Sequence, residues 1–158
     1  MIIREYSSTD LPQLLLIWNE IVREGNYFPQ DEEMNLEQAA RFFAGQTEVF
    51  LATEDALLGF YILHPNDIGR KAHIANASYG VAKSARGKGI GRRLVEHSLE
   101  QTKKHGFVAL QFNAVVSSNT NAISLYEDLG FRHIGTTPKG FRQKDASLAD
   151  ALIYYHEV

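Results

Sequence analysis

The sequence predicts an α/β fold built on a mixed β-sheet, and two observations support this class. Segments with the apolar or alternating pattern of strands are interspersed with segments whose apolar residues recur at helical spacing. The predicted order β-α-α-β-β-β-α-β-α-β-β also combines a hairpin with crossover helices, as in sheets that hold antiparallel and parallel pairs. The 158 residues contain no repeat, low-complexity tract or linker, so we expect a single domain over residues 1–158.

The first half of the chain is predicted to contain two helices. The first runs from Asp10 to Gly25, with Asp10 as the N-cap in a capping box with Gln13. Its apolar face holds Leu11, Leu14, Leu15, Trp18, Ile21 and Val22. The second helix covers residues 36–43. The strands of this half are predicted at about 2–6, 48–53, 56–63 and 72–81, with a tight hairpin at residues 54–55.

The second half is predicted to contain two helices and three strands. The helices run from about Gly89 to His105 and from Asn119 to Leu129, and each is followed by a glycine that ends it. The strands are predicted at about 107–113, 131–137 and 150–157. The first of these is expected to be buried, with Val108, Leu110 and Phe112 on one face.

Composition excludes several classes of protein. The chain has no cysteine, which excludes disulfides, thiolate metal sites and cysteine nucleophiles, and its six histidines show no spacing typical of metal ligands. The longest aliphatic run, residues 14–18, is too short to span a membrane. The N-terminus shows no basic stretch followed by a long apolar one, so we expect no signal peptide and a cytoplasmic protein.

The net charge of −3 hides an uneven distribution. Residues 1–55 carry 3 basic and 11 acidic side chains, whereas residues 83–104 carry 7 basic and 2 acidic ones. A nucleic-acid ligand would favour a wide basic face, so this distribution argues against one. It predicts instead a small anion site near residues 83–93 and, more weakly, a cationic acceptor near the acidic N-terminal part.

A glycine-rich turn, Arg86-Gly87-Lys88-Gly89-Ile90-Gly91, lies between a predicted strand and a predicted helix. Backbone N–H groups of such a turn and the helix N-terminus together favour a phosphate. The glycine spacing matches neither a Walker loop nor a dinucleotide-binding fingerprint. The alternative is a turn whose glycines merely let helix and strand pack closely.

Two motifs in this order resemble the GCN5-related N-acetyltransferase (GNAT) family. The first is Arg-x-x-Gly-x-Gly, and the second is Asn-x-x-Ala-x-x-x-Tyr-x-x-x-Gly-Phe over residues 119–131. The resemblance implies a mixed, mostly antiparallel central sheet with strands four and five splayed apart and about four flanking helices. It also implies acetyl-CoA as the co-substrate, with no metal.

The resemblance implies roles for particular residues. Tyr126 would be the general acid that protonates the coenzyme A thiolate, and Asn119 would hold the pantetheine arm. Main-chain groups from Tyr79 to Val81 would pair with that arm. The pyrophosphate would lie on Arg86, Gly87, Lys88, Gly89, Gly91 and Arg92. Two alternatives remain: Asn119 as a plain N-cap and Tyr126 as a core aromatic.

The sequence indicates the residues that bind the acceptor amine less clearly. Asn76 and Asn113 are amides in strands, where they need partners, and their surroundings are similar to a fungal subgroup that acetylates azetidine-2-carboxylate and proline analogues. They are predicted to bind the acceptor, or else to be satisfied by backbone. His64 and His73 are candidate bases or plain surface residues. The acidic pair at residues 32–33 is either a wall of the acceptor site or a solvated loop.

These observations predict an acetyl-CoA-dependent N-acetyltransferase that acts on the amine of a small molecule, such as an amino acid or imino acid. The alternatives are a non-catalytic acyl-CoA-binding module and an acetyltransferase acting on protein amines. No nucleic acid or membrane partner is expected. The C-terminal strand, with Ile153, Tyr154 and Tyr155, is predicted to be either a homodimer contact or a simple edge strand.

Overall fold

The computed structural model describes all residues from Met1 to Val158. The strands are β1 (Ile2–Glu5), β2 (Glu48–Thr53), β3 (Leu57–Pro65), β4 (Ile74–Val81), β5 (Ala109–Val116), β6 (Arg132–Arg142) and β7 (Leu148–Glu157). The helices are α1 (Leu11–Glu24), α2 (Leu36–Ala44), α3 (Ile90–Lys104) and α4 (Thr120–Asp128). The strands form one sheet in the order β1-β2-β3-β4-β5-β7-β6. Only the β4–β5 pair is parallel, so the predicted mixed, mostly antiparallel α/β class is confirmed.

Helices cover the sheet on both faces. Trp18 of α1 is buried and packs against Phe43 of α2 and Phe60 of β3, which places both helices on one face. Leu94 of α3 and Tyr61 of β3 are buried in a second cluster on the opposite face. This alternation along β3 follows from the two-residue period of a strand.

The β4–β5 pair separates soon after it forms. Its register contains only Ile74 with Ala109 and Ala75 with Leu110. Beyond Ala75, the edge of β4 that faces β5 has no partner strand, while β5 continues to pair with β7 on its other side. The predicted splay of strands four and five is thus confirmed.

Several local expectations are wrong. The Asp10 carboxylate does not cap α1, because it accepts hydrogen bonds from Arg4 at 2.7 and 2.9 Å and from the Ser7 N–H at 2.8 Å. Val108 precedes β5 and is 49% exposed. β6 continues to Arg142 instead of ending near residue 137, since its pairing with β7 is interrupted after Thr137 but resumes at Phe141 and Arg142. β7 is not an edge strand, because it lies between β5 and β6.

Candidate active site

The splay of β4 and β5 opens a cleft of about 300 Å³. Its walls come from β3, β4, β5, α4 and the loop between α1 and α2, and they include no lysine, arginine, aspartate or glutamate. The lining residues are 27–30, His64, Asn66, 76–79, 112–116, Asn119, Ala122 and Tyr126. The cleft therefore presents mainly uncharged polar groups and aromatic rings to a ligand.

Tyr126 lines this cleft from α4. Its ring packs against Phe112 and Phe131, with centroids 4.6 and 5.6 Å apart. Its hydroxyl has no hydrogen-bond partner in the protein, and burial raises the pKa of Tyr126 above its ordinary value. The ring is thus part of an aromatic cluster, as the core alternative expects, while the hydroxyl is free to act in the cleft.

Tyr79 faces away from the acceptor side of β4. Its hydroxyl bonds to the Ser98 hydroxyl of α3 at 2.7 Å. Burial, and then the proximity of Tyr126, raise the pKa of Tyr79 well above its ordinary value. The side chain is therefore committed to the helix layer, and Tyr79 offers the cleft its main chain along the edge of β4 that β5 leaves without a partner strand. Val81 lies on the same edge but outside the cleft lining, and its carbonyl accepts from the Arg86 guanidinium.

Asn119 is the N-cap of α4. Its side-chain oxygen accepts a hydrogen bond from the Ala122 N–H at 3.3 Å. The same residue lines the cleft, and its Nδ2 group has no partner in the protein. The N-cap alternative is therefore correct, and it leaves the amide donors of Asn119 available to a ligand.

The glycine turn presents unpaired main-chain donors. None of the N–H groups of residues 87–92 donates to a protein acceptor, and the first helical bond runs from the Arg93 N–H to the Gly89 carbonyl at 3.3 Å. Gly87 and Gly89 both have φ of +76°, which other residues rarely adopt. A Cβ at either position would meet nothing within 4 Å, so close packing is not what requires these glycines.

Two of the three predicted cations in this turn are held by carboxylates. The Arg86 guanidinium donates to both oxygens of Glu24 at 2.8 and 2.5 Å and to the Val81 carbonyl at 3.3 Å. Arg92 donates to Asp128 at 2.8 Å, which links α3 to α4. Lys88 forms no ion pair. The turn therefore offers an anion its N–H groups and Lys88, while the Arg86 side chain fixes the turn to the end of α1.

Three asparagines form a hydrogen-bonded cluster where β4 and β5 separate. The Asn66 side-chain oxygen accepts from Asn76 at 3.2 Å and from Asn113 at 2.6 Å. Asn76 also donates to the Gln111 carbonyl of β5 at 2.9 Å, one residue beyond the last paired position. The donors of Asn76 are thereby engaged, as the backbone-satisfied alternative expects, whereas Asn66 and Asn113 retain free N–H groups.

Sequence reasoning missed Asn66, and of its two alternatives for the acidic loop the structure agrees with the solvated one. Asn66 follows the end of β3 in an Asn-Asp pair that resembles an ordinary turn, so only the tertiary contact reveals its place in the cluster. Glu33 lies outside the cleft and pairs with Arg23 at 2.7 Å, and Glu32 is exposed. Neither carboxylate lines the cleft, so the predicted preference for a cationic acceptor loses its support.

No cluster of three or more histidine, cysteine, aspartate or glutamate side chains is arranged to hold a metal ion. No helix has the length and apolar character needed to cross a membrane.

Comparison with known proteins connects this geometry to a family. The profile of the acetyltransferase (GNAT) family matches residues 14–131. The chain is 32% identical to the N-acetyltransferase aca1 of Schizosaccharomyces pombe, over 92% of this chain and 79% of that protein. It is also 32% identical to the ribosomal protein bS18-alanine N-acetyltransferase of Salmonella typhimurium, over 93% of this chain and 90% of that protein.

A solved structure gives the same result for the fold. A GCN5-related N-acetyltransferase from Kribbella flavida has a TM-score of 0.92 at 34% identity, covering 99% of this chain and 97% of that one. The family profile spans both the glycine turn and the motif that contains Tyr126. The chain therefore belongs to the GNAT family and is an acetyl-CoA-dependent N-acetyltransferase.

Proposed function

We propose that this enzyme moves the acetyl group directly to the amine of a small molecule, with amino acids and imino acids as the acceptor class. The observation that carries the proposal is a single cleft lined by the unpaired hydroxyl of Tyr126 and by the free amide donors of Asn66 and Asn113. The chain has no cysteine, so an acyl-cysteine intermediate cannot form. Direct attack of the amine on the thioester is consistent with this absence.

Acetyl-CoA fits the glycine turn and the adjoining edge of β4. Consecutive unpaired N–H groups and a helix N-terminus suit the diphosphate, and Lys88 adds a positive charge. The edge of β4 from Tyr79 to Val81 has no partner strand, and its main chain suits the amides of the pantetheine arm, which can pair with it like an added strand. The free Nδ2 of Asn119 is a further donor to that arm.

Tyr126 is the proposed general acid for the thiolate that leaves. A phenol can hydrogen-bond to sulfur as negative charge develops there and then donate its proton. Its hydroxyl has no competing protein acceptor, so it needs no rearrangement to reach a ligand. A non-catalytic acyl-CoA-binding module would have no use for such a group.

The acceptor would be held by neutral amides. The free N–H groups of Asn66 and Asn113 can donate to a carboxylate or carbonyl of the acceptor, and no arginine or lysine competes for it. A volume of about 300 Å³ fits the acetyl group and a small acceptor. An amino acid or imino acid meets both conditions.

A protein amine is the second candidate. The relative from Salmonella typhimurium acetylates an alanine of a ribosomal protein, and this chain aligns with 90% of it. A second groove of about 630 Å³ shares Phe28, Pro29 and Gln30 with the cleft and is lined by charged residues that include Arg23 and Arg142. A peptide whose N-terminus entered the cleft could continue into that groove.

A thiol-release screen with acetyl-CoA separates these acceptors. The panel contains amino acids, imino acids, their amides, polyamines and a peptide that begins with alanine. We expect turnover with an amino or imino acid and weaker turnover with its amide, which presents one acceptor oxygen in place of two. Turnover with the peptide alone would support the protein amine instead. Binding of acetyl-CoA without turnover on any amine would support the non-catalytic module.

A homodimer and a cytoplasmic location remain predictions from the sequence. Sedimentation and the cellular distribution of a tagged chain would test them.

A further inference from the structure

His64 lies at the acceptor side of the cleft. It is near the end of β3, where its register partner on β4 is Asn76. Phe60 and Ile62 belong to the cluster under α1 and α2, so the two-residue period of the strand places His64 on that same face. His64 and Asn76 both line the cleft. An imidazole therefore lies beside the asparagine cluster.

The ring of His64 is held in one protonation pattern. Its Nδ1 lies 2.8 Å from the Pro65 carbonyl oxygen. Because a carbonyl can only accept, Nδ1 carries the hydrogen in this contact. In the neutral ring the lone pair is then on Nε2, and this nitrogen has no partner in the protein. The neutral ring of His64 therefore has an unprotonated, unpartnered Nε2 that can accept a proton.

No other side chain in the cleft can accept a proton near neutral pH. The other titratable residues of the lining are Tyr27 from the α1–α2 loop, Tyr79 from β4, whose hydroxyl is bonded to Ser98, and Tyr126 from α4. Burial raises the pKa values of Tyr79 and Tyr126, which keeps both phenols protonated.

The carboxylates of neighbouring elements are engaged elsewhere. Asp67, in the turn after β3, forms an ion pair with Lys71 and accepts the Ile68 N–H. Glu48 of β2 lies 3.3 Å from His105. Glu33, in the loop after α1, is paired with Arg23. None of these three carboxylates lines the cleft.

We propose that His64 accepts the proton that the acceptor ammonium must lose before it can attack, an inference that rests on the proposed function above. The ammonium proton passes to Nε2 of His64 and then to solvent. The nitrogen lone pair forms the bond to the acetyl carbonyl carbon, and the carbon–sulfur bond breaks. Tyr126 protonates the sulfur, and the second proton lost by the nitrogen restores the Tyr126 hydroxyl through solvent.

The test compares His64→Gln with His73→Gln at a series of pH values. Glutamine keeps a donor for the Pro65 carbonyl but cannot take a proton near neutral pH. His73 is exposed and lies outside the cleft, which makes it the matched control. We expect His64→Gln to lower kcat/KM for the amine about 100-fold at pH 7, within the usual range for a general base. The deficit should shrink toward higher pH, where the free amine needs no base, and His73→Gln should match the wild type.

A second variant separates chemistry from folding. His64→Ala should regain activity when imidazole is added, with unchanged affinity for acetyl-CoA in both variants. A deficit that is equal at every pH and is not rescued by imidazole would refute the role of His64, as would a wild-type rate in His64→Gln. Failure of the wild-type enzyme to acetylate any amine would refute the proposed function instead, so the two failures are distinguishable.

Discussion

Tyr126 combines a free hydroxyl with a raised pKa, and the two properties constrain how it acts. A phenol of raised pKa stays protonated wherever the enzyme meets a neutral amine. Proton transfer from it to a solvated thiolate of pKa about 8.5 would be uphill. In the cleft the thiolate is also desolvated, which raises its own pKa. The transfer is therefore easier to a thiolate that forms inside the cleft than to one in bulk solvent.

We expect Tyr126→Phe to lower kcat about 100-fold, because the proton donor is lost. Affinity for acetyl-CoA should be retained, since the ring still packs against Phe112 and Phe131. Thiol release gives kcat, and calorimetric titration gives Kd. Tyr155→Phe, on β7 and outside the cleft, is the control and should keep the wild-type rate. An unchanged kcat in Tyr126→Phe would remove this residue from the mechanism.

The burial of Tyr126 also predicts how kcat depends on pH in the alkaline range. Because the pKa of Tyr126 lies above its ordinary value of about 10, we expect no loss of kcat from its ionisation up to about pH 10. The measurement is kcat at saturating amine and acetyl-CoA from neutral pH upward. A one-proton loss within that range, present in the wild type and absent in Tyr126→Phe, would contradict the expected direction of the shift.

The hydrogen bonds of Asn76 and Asn113 predict that replacement by alanine weakens acceptor binding at Asn113 and lowers stability at Asn76. Asn113→Ala should raise KM for the acceptor about tenfold, the equivalent of one good hydrogen bond, with little change in stability. Asn76→Ala removes the bond to the Gln111 carbonyl where β4 and β5 separate, so it should lower the free energy of unfolding by about 1 kcal/mol. Urea denaturation and acceptor kinetics on both variants test this. A stability loss in Asn113→Ala alone would reverse the assignment.

Helices and strands that are marked by local sequence patterns could be predicted. Strand ends that depend on pairing with a distant strand could not. Helix α1 was predictable because Trp18 and its apolar neighbours recur at helical spacing and Gly25 ends the helix with φ of +72°. The end of β6 was not, because Pro138 and Gly140 resemble a turn, and Lys139 has φ of +54°. The antiparallel pairing with β7 is irregular at these residues and resumes at Phe141, which extends the strand to Arg142.

The residues of the candidate site likewise fall into those that the sequence predicts and those that only tertiary contacts reveal. The glycine turn and Tyr126 belong to motifs of fixed spacing, so the sequence alone predicts them. The cluster around Asn66 joins the turn after β3 to residues of β4 and β5, and such contacts depend on how the strands separate. The acidic loop kept two alternatives in the sequence, because a count of charges does not tell which side chains find partners, as Glu33 does with Arg23.

The ion pair between Arg86 and Glu24, which fixes the glycine turn to the end of α1, gives a prediction about stability. Arg86 lowers the pKa of Glu24 through their hydrogen bonds. A lowered folded pKa means that the pair stabilises the protein above the unfolded value, about 4.3, and that this contribution is lost as the pH falls through the folded pKa. We expect Glu24→Gln to lower the free energy of unfolding by about 1 kcal/mol at pH 7, because the pair is partly screened by solvent.

Urea denaturation at pH 7 and again below the pKa of Glu24 tests this dependence. The wild type and Glu24→Gln should converge at the acidic end. Glu37→Gln breaks the exposed pair with Arg41 and is the control, with little effect at either pH. A stability difference that grew on acidification would contradict the assigned sign.

Across the whole molecule, acetyl-CoA meets a basic environment and the acceptor amine meets one without formal charges. Residues 83–104 carry a balance of seven basic to two acidic side chains beside the turn that suits an anion. The acceptor end of the cleft has no lysine, arginine, aspartate or glutamate in its lining. Charge should therefore assist the encounter with acetyl-CoA and contribute little to the encounter with the amine.

Salt dependence of the two specificity constants tests this separation. We expect kcat/KM for acetyl-CoA to fall at least about threefold between about 20 and 500 mM NaCl, because salt screens the attraction between the basic turn and the phosphates. The value for the amine, measured at saturating acetyl-CoA, should stay nearly constant. Lys88→Gln should weaken the salt dependence for acetyl-CoA, whereas Lys103→Gln, in the last turn of α3, should leave it unchanged. Equal salt dependence for both substrates would show that the acceptor also reaches the site through a charged surface.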